Sequence, residues 1–109
     1  MTVKDIAERL SLTLKCGEDG IDREVEGGYV GDLLSLVMGK AQSGNAWVTI
    51  QTNINIVAVA SLTDVAMIIL AEGLNPDPNT ATRAEMEGIP VYSSEKTAFE
   101  LVCELKDLV

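Results

Sequence analysis

The residues best suited to bind a ligand come directly after three short apolar runs of the sequence. They are Thr52, Asn53 and Asn55 after the first run, Glu72 and Gly73 after the second, and Ser93 and Ser94 after the third. Their hydroxyl, amide and carboxylate groups can hydrogen-bond to a polar ligand, and free backbone N–H groups at helix starts can hold an anion. If the runs are neighbouring parallel strands, their carboxyl ends open into one crevice. We therefore expect a binding site for a small metabolite or nucleotide.

A structural interpretation of these residues stays open beside the functional one. Asn53, Asp77 and Ser94 are of the types that cap helix N-termini. Glu72 and Asn75 are equally suited to a solvated turn. In that interpretation the residues shape the fold and bind nothing.

Motifs of the commoner enzyme classes are absent from the sequence. There is no phosphate-binding P-loop, and Gly27, Gly28 and Gly31 do not have the dinucleotide-binding spacing. Because the chain has no histidine, it has no histidine-based triad or proton shuttle. No cluster of metal ligands stands out either. We therefore expect a non-catalytic protein without a cofactor or a bound metal.

The charge and the cysteines limit the possible partners and the compartment. Seventeen acidic and eight basic residues give a net charge of −9, which repels nucleic acids and acidic membrane surfaces. No stretch is long and apolar enough to cross a membrane, and we expect no signal peptide at the N-terminus. Cys16 and Cys103 lie far apart in apolar patterns, as expected of two reduced core thiols. These features together indicate a cytoplasmic protein.

The stretch from Val65 to Pro78 predicts the centre of the fold. A continuous apolar run ends at Leu70 and is followed by a Gly- and Pro-containing turn, which is typical of a strand buried on both faces. Such a strand is normally central in a parallel sheet, with the functional crevice at its carboxyl end.

Apolar periodicity predicts five helices, each with a capping residue. They are Thr2–Leu10 capped by Thr2, Leu33–Ala41 capped by Asp32, 53–62 capped by Asn53, Pro78–Glu87 capped by Asp77, and a last helix with Ala98, Leu101, Val102 and Leu105 inward, capped by Ser93 or Ser94. The segment 53–62 also has strand propensity. We prefer a helix there because parallel strands are usually connected by one.

The remaining segments predict the strands. These are Leu12–Cys16, an exposed edge strand around Glu24–Glu26, Ala46–Gln51, Met67–Leu70 and Ile89–Tyr92, with Gly27, Gly28 and Gly31 marking a bend or a close backbone approach. Whether residues 21–30 pair within the sheet or across a dimer stays open. The alternation of helix and strand from Asp32 onward predicts an α/β fold in one small domain, residues 1–109. It has three layers, a mostly parallel central sheet with helices on both faces.

The sequence from Leu70 to Pro78, followed by Gly88–Tyr92 and then by Ser94 and Thr97, resembles the DRTGG domain family. The resemblance covers nearly the whole chain. Members of this family are similar to the N-terminal domain of HPr kinase/phosphorylase, which is not the catalytic domain. They also occur as accessory domains beside CBS pairs and phosphotransacetylase domains. It implies a regulatory or ligand-sensing role and a homodimer, and it transfers no kinase activity.

The chain departs from the family in both halves of the namesake motif. It has Thr52-Asn53 where members have Asp-Arg, and Ala71-Glu72-Gly73 where members have Thr-Gly-Gly. Losing an arginine and gaining Glu72 removes positive charge from the expected crevice, which favours a neutral or cationic ligand. The alternative hypothesis is a protein–protein interaction module without a small ligand, such as a partner of a kinase or a redox enzyme.

Overall fold

A five-stranded sheet lies at the centre of the protein, as a computed structural model of residues 1–109 describes it. The strands are β1 (Thr13–Cys16), β2 (Gly27–Val30), β3 (Asn45–Thr49), β4 (Met67–Leu70) and β5 (Val91–Ser93). Their spatial order is β1-β5-β4-β3-β2, with β1 antiparallel to β5 and the other neighbours parallel. The helices are α1 (Val3–Leu10), α2 (Leu34–Lys40), α3 (Asn55–Thr63), α4 (Pro78–Glu87) and α5 (Ala98–Leu105).

Strand β4 separates two hydrophobic cores. Met67 and Ile69 belong to the core shared with α1 and α5, whereas Ile68 and Leu70 belong to the core shared with α2, α3 and α4. All four side chains are fully buried. Because helices cover both faces, the strand is apolar throughout instead of alternating. The predicted three-layer architecture with a buried central strand is therefore confirmed. None of the helices has the length and hydrophobicity that a membrane-spanning helix requires.

Two capping boxes fix the starts of the first and last helices. Thr2 caps α1 as predicted, with Asp5 as its reciprocal partner. The prediction that Ser93 or Ser94 caps the last helix is wrong, because Thr97 caps α5 with Glu100. Ser93 is the last residue of β5, and the backbone of Ser94 still pairs with Leu70. The chain needs the next residues to turn from the sheet into the helix.

Asp32 joins two strand ends and does not cap α2, which corrects the sequence prediction. Its carboxylate accepts hydrogen bonds from the Thr49 hydroxyl and from the Ile50 backbone N–H, both at 2.8 Å. Helix α2 begins at Leu34 without a side-chain cap. The broad apolar face predicted for this helix is also wrong, since Val37 alone is buried within it.

The edge strand β2 runs through the glycines and not through Glu24–Glu26, where the sequence placed it. Val25 is buried in the core, and β2 pairs in parallel with β3 within the chain. A Cβ on Gly28 would lie 3.1 Å from the Leu105 side chain of α5. Glycine at this position therefore lets helix α5 approach the strand. The sequence predicted a bend or a close approach by another backbone, whereas the nearest neighbour of Gly28 is a side chain.

The two cysteines lie in different environments. Cys16 is buried, and burial followed by the nearby Glu85 carboxylate raises the pKa of its thiol. Cys103 is exposed on α5, so the prediction of two core thiols is wrong for this residue. A helix has one buried stripe, and in α5 Leu101 and Leu105 occupy it.

Asp64 connects the end of α3 to the loop before β2 through its carboxylate. Removing the charge of this carboxylate should make the folded protein less stable at neutral pH. Its carboxylate accepts hydrogen bonds from Arg23 at 2.9 and 3.0 Å and from the Ser43 hydroxyl at 2.6 Å. Those hydrogen bonds, from Arg23 first, lower the pKa of Asp64. A lowered folded-state pKa stabilises the protein above the unfolded-state pKa, and the contribution is lost as the pH falls through the folded value.

We therefore expect Asp64→Asn to lower the free energy of unfolding at pH 7, and the difference from the unmodified protein to close in acid. Asparagine tolerates the left-handed backbone of this position, φ 62°, so the substitution tests the charge. Urea unfolding across acid to neutral pH measures the effect, with the exposed Asp22→Asn as control. A difference that does not depend on pH would contradict this account.

Candidate ligand site at the carboxyl ends of the strands

The three loops chosen from the sequence lie side by side at one edge of the sheet. Thr49 is in register with Leu70, and Leu70 is in register with Ser93. The Ala71 N–H donates to the Thr49 carbonyl at 3.1 Å, and the Ser94 N–H donates to the Leu70 carbonyl at 3.0 Å. The loops after β3, β4 and β5 therefore start level with one another, although their side chains form separate groups.

Thr52 holds the loop after β3 against the start of α4. Its hydroxyl donates to the Asp77 carboxylate at 3.1 Å, and its carbonyl accepts from the Asp77 N–H and from the Thr80 hydroxyl. Asp77 is at the N-cap position of α4, as predicted, but its side chain makes no capping hydrogen bond. These polar groups are therefore used inside the fold.

Asn53 shapes the turn into α3. Its side-chain oxygen accepts from the Asn55 N–H at 2.9 Å, and its amide group donates to Gln51 at 3.1 Å. Segment 53–62 is mainly helical, as preferred, but α3 begins at Asn55. The prediction that Asn53 caps the helix is wrong, because Ile54 is at the N-cap position and no side chain caps α3. The Asn55 side chain is exposed.

The turn after β4 is clasped to the loop after β5. The Gly73 N–H donates to the Ser94 carbonyl at 2.7 Å, and the Glu72 N–H donates to the Lys96 carbonyl at 2.9 Å. Glu72 and Gly73 both have left-handed backbones, with φ of 62° and 70°. The Glu95 carboxylate lies over the turn, 2.6 Å from the position that a Cβ on Gly73 would occupy.

A cavity of about 350 Å³ lies between this turn, β5 and β1. It is lined entirely by polar residues and glycine: Ser11, Thr13, Lys15, Gly73, Asn75, Ser93, Ser94, Glu95 and Lys96. Of the residues predicted from the sequence, Gly73, Ser93 and Ser94 line it. Thr52, Asn53, Asn55 and Glu72 do not, and ligand binding by any of these residues stays a prediction.

Sequence reasoning missed the side of the cavity that β1 supplies. The antiparallel pairing of β1 with β5 places Thr13 beside Ser93, and no local signal in the sequence indicates that pairing. Leu14 pairs with Tyr92 and Cys16 pairs with Val91, so Lys15 is the extra residue of a β-bulge. Bulges redirect side chains and are frequent beside functional sites.

The polar groups of the cavity differ in how far the fold uses them. Lys96 is committed, because its ammonium group pairs with Glu104 at 2.8 Å and donates to the Leu10 carbonyl at 3.3 Å. The Ser94 hydroxyl accepts from the Lys96 N–H at 3.1 Å. Ser93 is only 8% exposed, and its hydroxyl makes no hydrogen bond within the protein but opens into the cavity, since no enclosed side-chain polar atom lacks a partner.

Comparison with solved structures supplies the fold relationship. The chain is similar to the CBS and DRTGG domains of the regulatory region of Clostridium perfringens pyrophosphatase, a structure in complex with its activator, diadenosine tetraphosphate. The TM-score is 0.68 with 14% sequence identity, and the match covers 95% of this chain and 45% of that chain. The chain has a DRTGG-like fold. No protein-family model and no curated protein matches the sequence.

The DRTGG-like fold confirms the resemblance seen from Leu70 to Thr97 at the level of architecture. At 14% identity the likeness concerns the fold, and the chain spans less than half the length of the regulatory region that it matches. The turn Ala71-Glu72-Gly73, which replaces Thr-Gly-Gly, lies at the clasp between β4 and β5. The departure from the family pattern therefore falls beside the cavity.

The left-handed backbone of Glu72 predicts that glycine is more stable at this position. A residue with a Cβ loses about 1–2 kcal/mol in this conformation, and glycine recovers part of it while adding entropy to the unfolded chain. We expect Glu72→Gly to raise the free energy of unfolding by about 1 kcal/mol or less. Urea unfolding measures it. Glu72→Ala is the matched control, since it removes the same exposed carboxylate but keeps the Cβ, and an equal gain in alanine would contradict the argument.

Proposed function

We propose that this protein is a non-catalytic regulatory module that senses a small metabolite or nucleotide at the carboxyl ends of its strands. The observation that carries the proposal is the polar cavity around Ser93, a residue that is 8% exposed and whose hydroxyl opens into that cavity without a hydrogen bond to the protein. A hydroxyl that faces an open polar cavity can both donate a hydrogen bond to a ligand and accept one from it.

The fold relationship supports a regulatory role. The similar Clostridium perfringens domains belong to the regulatory region of a pyrophosphatase and were seen with an activator. We extend to this chain the regulatory character of that region and not its particular activator. The protein would act in the cytoplasm, where its two free cysteines stay reduced.

The absence of histidine and of a cysteine from the cavity lining supports a binding role over a catalytic one. The lining offers hydroxyls, one amide and charged groups, which suit recognition by hydrogen bonds. Catalysis would need a nucleophile or a general base with an orienting partner, and none of the cavity hydroxyls has such a pair.

Ligand binding at the cavity predicts a thermal shift with a defined dependence on two asparagines. A ligand present at 100 times its Kd adds about 2.7 kcal/mol, which raises the Tm of a domain of this size by several degrees. The panel contains nucleotides, sugars, acyl phosphates and amino acids. Asn75 lines the cavity, whereas Asn55 lies outside it, so Asn75→Ala should reduce the shift and Asn55→Ala should preserve it. The reverse result would place the ligand at the β3 end of the edge.

A second proposal is a homodimer through the open edge of the sheet, and an apolar groove there favours it. The groove has a volume of about 280 Å³ beside β2 and α5, and six of its eight lining residues are hydrophobic. Its members include Val30, which is 48% exposed, and Val109. An unpaired strand edge can pair with the same edge of a second copy across a two-fold axis, which needs no separate complementary surface.

A charge on the edge strand should disrupt this dimer. We expect Val30→Glu to shift the protein toward the monomer in sedimentation equilibrium, because the carboxylates would be buried near one another at the interface. Leu62→Glu places the same charge at another exposed apolar position, 72% exposed on α3, and should leave the association unchanged. A protein that is monomeric without either substitution at high concentration would contradict the dimer proposal.

A further inference from the structure

Several polar groups of the cavity around Ser93 have no partner in the protein, and they identify the chemistry of the ligand. The side chains of the exposed residues Ser11, Thr13 and Asn75 and of the buried residue Ser93 all line this cavity and make no hydrogen bond within the fold. They come from β1, from the segment preceding it, from the turn after β4 and from β5. Because separate elements direct them to one space, they are arranged to meet a molecule with several polar atoms.

Ser93 is the strongest indication that the cavity is a binding site. The residue is more than nine-tenths buried, and no fully enclosed side-chain oxygen or nitrogen lacks a hydrogen bond. The unpartnered Ser93 hydroxyl must therefore reach open space, and the cavity that it lines is that space. The hydroxyl can both donate and accept a hydrogen bond there.

The two unpaired charges of the cavity have opposite signs and come from opposite sides. Lys15 is the bulged residue of β1, and Glu95 follows β5 with its carboxylate over Gly73, in the turn after β4. Strand β5, which carries Ser93, lies between β1 and β4. Neither Lys15 nor Glu95 forms an ion pair in the protein, whereas Lys96 is paired with Glu104. The unpaired charges of the cavity therefore sum to zero and are separated in space.

The lining also argues against a nucleobase. No aromatic or aliphatic side chain contributes to it, so no surface is present on which a base could stack. A volume of about 350 Å³ is at the small end of ligand sites. A compact ligand with polar atoms on all sides fits this space better than a nucleotide.

We propose that this cavity binds a free α-amino acid, a small zwitterion whose carboxylate pairs with Lys15 and whose ammonium group pairs with Glu95. The hydroxyls of Thr13 and Ser93 and the amide of Asn75 hydrogen-bond to the polar atoms between the two charges. This inference rests on the proposed sensor function and narrows its ligand class.

The test measures binding of each proteinogenic L-amino acid to the full chain by ¹H–¹⁵N chemical shifts, with glucose and AMP as probes of the competing classes. The expected result is saturable shifts at Gly73, Asn75 and Glu95 with at least one amino acid. Lys15→Gln and Glu95→Gln should each raise the Kd of that amino acid by about tenfold, because each substitution removes a hydrogen bond to a charged group. Lys4→Gln and Glu8→Gln change the net charge equally on exposed positions of α1 and should leave the affinity unchanged.

The sign of the Glu95→Gln effect separates the ligand classes. A zwitterion loses affinity, whereas an anion gains affinity because a repelling carboxylate is removed. Binding of AMP or glucose at these residues, without amino acids, would overturn the amino acid assignment and leave the sensor function standing. Absence of binding by every compound of the wider metabolite panel would overturn the sensor function, and with it this inference.

Discussion

The clasp between the turn after β4 and the loop after β5 is the constraint on which the functional edge depends. Two backbone hydrogen bonds form it, from Gly73 to Ser94 at 2.7 Å and from Glu72 to Lys96 at 2.9 Å. Both donors reach their acceptors because two consecutive residues adopt left-handed backbones. Without this geometry the turn would leave the sheet, and Asn75 and Glu95 would lose their places beside β5.

The clasp satisfies backbone groups and leaves side chains free, and this explains why a polar cavity persists at the edge. Ser94 and Lys96 act through their carbonyls, and the Lys96 ammonium group anchors the loop to α5 through Glu104. The hydroxyls of Thr13 and Ser93 and the charges of Lys15 and Glu95 take no part in these hydrogen bonds or in an ion pair. Because backbone groups make the hydrogen bonds that hold this edge together, the side chains of the cavity can contact a ligand.

Sequence patterns predicted the frame better than the site. Met67–Leu70 was identifiable as the central strand because burial on both faces leaves an uninterrupted apolar run. The loops after β3, β4 and β5 were placed at one edge because parallel strands require it. The contribution of Thr13 and Lys15 could not be predicted, because an antiparallel pairing across most of the chain and a bulge within it leave no local pattern. Asp32 and Ser94 were misassigned as caps, since residue type alone does not distinguish a cap from a link between strand ends.

The central claim is that the Ser93 hydroxyl is held for a ligand and contributes nothing to folding. The most direct test is the free energy of unfolding of Ser93→Ala, measured by urea denaturation in the absence of any ligand. A hydroxyl that opens into the cavity and makes no hydrogen bond within the protein contributes little to folding, so alanine should leave the stability unchanged or raise it. A loss of more than about 1 kcal/mol would show that the hydroxyl makes a hydrogen bond in the folded protein, and it would contradict the account.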